Sequence, residues 1–174
     1  MVRTNKKLAW LRDYTPYELE TLVASEPLTQ NDVQEILGEK VERIHFLSPQ
    51  RLNAKGMILH LCSARPRTEK VNIYIQNNSR EEEEITLVHE VVHLRYRTGD
   101  EIPYRESDSG QMRSVLGMGD PFYGKHKTFE DIVEAEAQRF YAENRAFVSD
   151  LYSGVLRKYG SQCSNLSKNL PIKE

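Results

Sequence analysis

The chain has 174 residues, with 24 Lys+Arg against 26 Asp+Glu and a net charge of −2 at neutral pH. Hydrophobic residues at 39% and charged residues at 29% fit one soluble globular domain over 1–174, long enough to bury a core without staples. This balance argues against a basic, nucleic-acid-coating surface, and no segment approaches the ~18 consecutive apolar residues that span a bilayer.

The opening stretch MVRTNKKLAWLRDYTPYE is basic but lacks the apolar h-region of a secretory signal. Cys62 and Cys163 lie far apart with no CxxC spacing, so two free thiols in a reducing compartment are expected, and with them a cytoplasmic protein. Residues 1–39 read as a helical pair. Thr15-Pro16-Tyr17-Glu18 supplies a cap, a proline at the first helical position and a capping-box glutamate, followed by Leu19, Leu22 and Val23. A second helix starts at Thr29-Gln30-Asn31-Asp32 and ends on Gly38. Two helices with a short connection can read DNA, but the second carries no basic face, so a packing lid or dimer element is the expectation.

The middle is strand-like: Val41 to Leu47 alternates partly, Met57 to Cys62 is a short apolar run, and Val71 to Ile75 alternates with period two. The polar turn SARPRTEK between the last two predicts a hairpin. Ser79 with Glu82 forms a capping box, and Glu81 to Glu84 place negative charge at the positive end of a helix dipole, where they read as a solvated face. From Ile85 to Leu94 that helix is apolar nearly all round, which predicts burial. Residues 99–127 read as a long loop with one short helix near Gln111 to Leu116. A long helix is expected from Thr128 to about Tyr159, with a break near Gly154, and the polar tail 160–174 is expected to be poorly ordered. The expected fold is α+β: a small, mostly antiparallel sheet packed on a core helix and a long C-terminal helix, preceded by short N-terminal helices. His45 and His60, on predicted strands, read as structural histidines.

The core helix carries His89-Glu90-Val91-Val92-His93. Two imidazoles one turn apart point from one face and can grip one metal ion, while Glu90 lies where it can handle the proton of a metal-bound water. The chain has only five histidines, so this spacing rarely arises by chance. A catalytic zinc site needs a third protein ligand. Asp100, Asp108, Asp120, His126, Glu130, Asp131, Glu134 and Glu136 are the downstream candidates. The best context is the helix around Val133 to Tyr141, whose apolar stripe must pack inward. Glu134 and Glu136 lie on opposite margins of that stripe, and helical geometry does not choose between them.

The order strand, HExxH helix, variable loop and helix bearing Glu134-Ala135-Glu136-Ala137-Gln138-Arg139-Phe140-Tyr141-Ala142 resembles the gluzincin metallopeptidases, specifically the ImmA/IrrE-like group. The likeness covers roughly residues 70–145. It implies a ligand glutamate four residues before an Asp or Asn, which maps onto Glu134, with Gln138 in the supporting place and Glu136 as the alternative. It also implies cleavage of a specific regulatory protein. The chain departs from that group at Val92, where a glycine is usual, at Gln138, where an Asn is usual, and in lacking the Leu-Leu-x-Pro helix ending.

The chemistry follows from the residue types. One Zn2+ held by two neutral imidazoles and a carboxylate pulls the pKa of its water toward ~7, and Glu90 takes that proton and returns it to the leaving amine. Manganese, iron or cobalt also suit such ligands. Tyr104, Arg105, Tyr123 and His126 are the loop candidates for a transition-state donor. If the Val71–Ile75 strand lay at the sheet edge, it could pair with an extended peptide. The expected function is therefore a zinc metalloendopeptidase acting on a protein or peptide, with no membrane or nucleic-acid partner. A non-catalytic metal-binding regulatory module of the same fold is the alternative, and Glu90 argues against it because a structural site has no use for that residue.

Overall fold

A computed structural model describes residues 15–52, 54–60, 70–96, 98, 104–106, 112–114 and 121–160. Two helices, α1 (Pro16–Ser25) and α2 (Gln30–Glu39), open the fold where the capping signals place them. In each, the N-cap threonine and the side chain three residues on bond reciprocally: Thr15 with Glu18, and Thr29 with Asp32. Then come β1 (Val41–Leu47), β2 (Gly56–His60) and β3 (Val71–Gln76), the core helix α3 (Arg80–Tyr96), and the short strands β4 (Tyr104–Glu106) and β5 (Met112–Ser114). The chain continues with α4 (Pro121–Glu143), α5 (Arg145–Val155) and a π-helical turn, Leu156–Gly160. This is an α+β fold. Cys62, Cys163 and the tail beyond Gly160 lie outside the described residues.

The sheet is mixed, not mostly antiparallel. Its order is β1-β3-β2, with β2 antiparallel to β3 as the hairpin reading expected, but β1 parallel to β3. Period-two patterning reports which face is buried and carries no information on strand direction, so the parallel pairing was not readable from it. Bonds from Val71 N–H to Lys40 O and from Asn77 N–H to Leu47 O, at 2.9 and 2.7 Å, carry the β1–β3 contact past both strand ends. β3 is therefore the central strand, bonded on both sides, and cannot accept a peptide. The edge among the described strands that faces α3 is β2.

One face of the sheet (Ile44, Phe46, Ile58, Val71, Ile73 and Ile75) joins Leu87, Val88, Val91 and Val92 of α3 in a single apolar core. Leu87, Val88, Val91, Val92 and Leu94 have no solvent exposure. The largely buried stretch 85–94 thus makes α3 a central helix, with the sheet on one side and α2, α4 and α5 around the rest. Its acidic first turn is not merely solvated. Glu84 is 5% exposed, accepts from Arg80 and from the Tyr141 hydroxyl, and so ties α3 to α4. Glu83 accepts from the Tyr152 hydroxyl of α5 at 2.9 Å.

The expected 128–159 helix starts earlier, at Pro121, and breaks at Asn144. The Asn144 side chain donates to Phe140 O at 2.9 Å, taking the carbonyl that its own backbone N–H would bond in a continuous helix. Gly154 lies inside α5 without breaking it. Met112–Ser114 pairs antiparallel with Tyr104–Glu106, in place of the short helix expected over Gln111–Leu116. Among the described residues no helix is long and apolar enough to cross a membrane.

Candidate metal centre

α3 presents His89 and His93 on one face, their ring centroids 4.8 Å apart. Their Nε2 atoms lie 3.1 Å from each other. α4 brings the Glu130 carboxylate between them, with Oε2 2.9 Å from His89 Nε2 and Oε1 2.7 Å from His93 Nε2. His89, His93 and Glu130 form a group that could hold a metal ion.

The opposite edge of each ring fixes its tautomer. His93 Nδ1 faces the carbonyl and hydroxyl oxygens of Thr98, both at 3.1 Å, and a carbonyl can only accept, so Nδ1 carries the proton. His89 Nδ1 donates to Glu134 Oε2 at 2.6 Å. The other Glu134 oxygen accepts from Gln138 Nε2 at 2.9 Å. With both Nδ1 atoms committed as donors, each Nε2 faces the Glu130 carboxylate and would offer a lone pair to a cation there once its own proton has left. Two imidazole lone pairs and a carboxylate converging on one point make a donor set for a divalent cation, and this set suits zinc.

Without a metal, the cluster is held by charge. Burial lowers the pKa of His89, but hydrogen bonds to Glu130 and Glu134 overcome it and raise the value to about 10. Burial pushes Glu130 up, yet the charge and hydrogen bonds of His93 and His89 hold it well below the usual carboxylate range. The His89 hydrogen bond lowers Glu134 in the same way, against partial burial.

The structure brings together His89, Glu90, His93, Glu130 and Glu134 of the residues singled out from sequence, and separates Glu136 from them. The carboxylate between the two histidines is Glu130, whereas Glu134 sits one turn further along α4, on the far nitrogen of His89. Glu136 points elsewhere. It is 5% exposed, accepts from Leu28 N–H at 3.0 Å and pairs with Arg139, whose Nη2 also reaches Leu28 O at 3.2 Å. Its carboxylate clamps the α1–α2 connection to α4 and is consumed there.

The signal for Glu130 was present in the chain. A glutamate followed four residues later by a second acid is the pair Glu130–Glu134, the expected ligand spacing set one turn earlier than Glu134–Gln138. Tyr123 and His126 lie on α4, His126 one turn before Glu130, while Tyr104 and Arg105 lie on β4, and the described side chains do not include theirs. Asp100, Asp108 and Asp120 are outside the described residues, and Asp131 is exposed.

Glu90, 4% exposed, lies beside a cavity of about 430 Å³ lined by Lys55, Gly56, Thr86, His89 and Glu134 among others. The wall facing α3 is the start of β2. Lys55 stands on the rim in an exposed pair with Glu82, at 3.0 Å. Compared with known proteins, the chain matches no family model, no curated protein and no solved structure.

Proposed function

We propose that the chain is a zinc-dependent metalloendopeptidase of the gluzincin type, similar to the ImmA/IrrE-like group, which hydrolyses a peptide bond in a specific regulatory protein of the cell interior. The observation that supports this best is the convergence of His89 Nε2, His93 Nε2 and Glu130, with the buried Glu90 on the cavity side of the same helix. A bound zinc ion supplies a Lewis acid and lowers the pKa of a coordinated water toward ~7.

Every other part of the work falls to the chain. Glu134 and Thr98 hold the two imidazoles in the tautomer that turns Nε2 inward. Glu90 accepts a proton from water and returns it to the leaving amine. An extended substrate pairs along the edge of β2, which replaces Val71–Ile75 as the candidate docking strand because β3 is bonded on both sides. The presence of Glu90 beside the cavity favours catalysis over a metal-binding regulatory module, since a site that only binds metal needs no such carboxylate.

The test combines metal content with cleavage of a peptide library by purified protein. Wild type is expected to carry one zinc per chain and to cut peptides, whereas Glu90→Gln is expected to keep the zinc and lose cleavage by at least ~10²-fold. Equal cleavage by both proteins would refute the assignment.

A further inference from the structure

β2 begins at Gly56, which pairs with the fully buried Ile75 of β3. Paired residues share a face, so position 56 looks toward α3. There the helix approaches so closely that a Cβ on Gly56 would lie 2.5 Å from Glu90 Oε1, 3.1 Å from Glu90 Cδ and 2.6 Å from Thr86 Cγ2. Carbon contacts are comfortable only at about 3.5–4.0 Å, so the volume of a side chain at 56 is already filled. Thr86 and Glu90 are one turn apart on α3 and straddle the glycine. Thr86 is also pinned, its hydroxyl donating to Glu82 O at 2.7 Å.

We infer that Gly56 is a positioning residue for the base: its missing Cβ lets the Glu90 carboxylate lie against the edge strand, between the histidine face of α3 and a peptide paired along β2. This rests on the metallopeptidase reading above. The Glu90 carboxylate is the far end of a flexible side chain. A methyl group at 56 therefore turns it aside more readily than it unfolds the protein, and the loss falls on proton transfer. A glycine needed only for packing would lose stability and activity together.

The variants are Gly56→Ala alone and on a Thr86→Ala parent, which removes the Cγ2 collision and leaves Glu90 as the close neighbour. Relative to that parent, Gly56→Ala is expected to keep one zinc per chain and a KM within roughly threefold, with kcat reduced roughly 10²-fold. Melting temperatures of the metal-free proteins then complete a cycle with Glu90→Ala: the destabilisation caused by Gly56→Ala shrinks once the Glu90 carboxylate is gone. An unchanged kcat, or an equal melting loss with and without that carboxylate, overturns the inference. Absence of cleavage by the zinc-loaded wild type is a separate result that overturns the peptidase reading and takes the base assignment with it.

Discussion

Glu130 and Glu134 stand one turn apart on α4 and take opposite nitrogens of one imidazole: Glu130 lies 2.9 Å from His89 Nε2 and Glu134 lies 2.6 Å from His89 Nδ1. Two acids of the same type thereby acquire different tasks from their place on the helix. Glu130 offers its carboxylate to the shared point, and Glu134 orients the ring and strengthens its inward lone pair. Glu134→Ala should therefore keep a one-to-one stoichiometry but bind zinc about 10–100-fold more weakly, measured by competition with a chromophoric chelator. Glu134→Gln, which still offers an oxygen to Nδ1–H, should retain more of the affinity than Glu134→Ala.

The pH dependence of the metal-free chain has a definite sign. His89 is raised from 6.5 to about 10, so its stabilisation is complete below pH 6.5 and is lost as pH rises toward 10. Glu130 and Glu134 are lowered from 4.5, so theirs is complete above pH 4.5 and is lost as pH falls below it. Metal-free protein should melt highest between these limits and decline on both sides. Zinc affinity should rise across the upper window, because the proton on His89 competes with the ion. Calorimetric titration in buffers of different ionisation enthalpy should register proton release at pH 7. Zinc binding without proton release would contradict the assignment.

Glu136 tests the same helix from its other margin. Glu136→Ala strands the Leu28 N–H and leaves Arg139 without its closest partner, so about 2–4 kcal/mol of stability should be lost. That corresponds to a melting temperature lower by very roughly 5–15 °C for a chain of this size. Zinc content should stay at one per chain. A folded variant that loses zinc would return Glu136 to the ligand set.

Tyr152 is fully buried, with Arg80 stacked 4.6 Å above its ring and its hydroxyl bonded to Glu83. Burial, together with the Glu83 carboxylate, pushes its pKa far up, so it stays a neutral donor throughout. Tyr152→Phe removes that hydrogen bond and leaves the packing. Denaturant titration should show a loss of about 1 kcal/mol, with zinc binding unchanged.

The site was legible where local spacing decides it. The i, i+4 histidines, the largely buried stretch 85–94 of α3 and the capping boxes of α1 and α2 all depend on a few neighbouring residues, and each stands where the sequence places it. The rest depends on contacts that the local pattern does not encode. β1 pairs parallel with β3 across a separation of some thirty residues, so alternation could show its buried face but not its direction. Choosing among Glu130, Glu134 and Glu136 requires the rotation of α4 against α3, and that rotation is set by the packing of Phe129, Val133, Ala137 and Phe140 in the core. Asn144 breaks the helix through its side-chain amide, a competitor that counts of apolar residues overlook, whereas Gly154 is tolerated within a turn.

The most direct test of the metal centre is the zinc content of Glu130→Ala, measured by elemental analysis after dialysis beside wild type, His93→Ala and Glu90→Gln. One zinc per chain in wild type and Glu90→Gln, with none in Glu130→Ala or His93→Ala, is the expected result. Glu130→Ala that holds zinc as tightly as wild type would show that the ion is gripped elsewhere, and the account built on this cluster would fall.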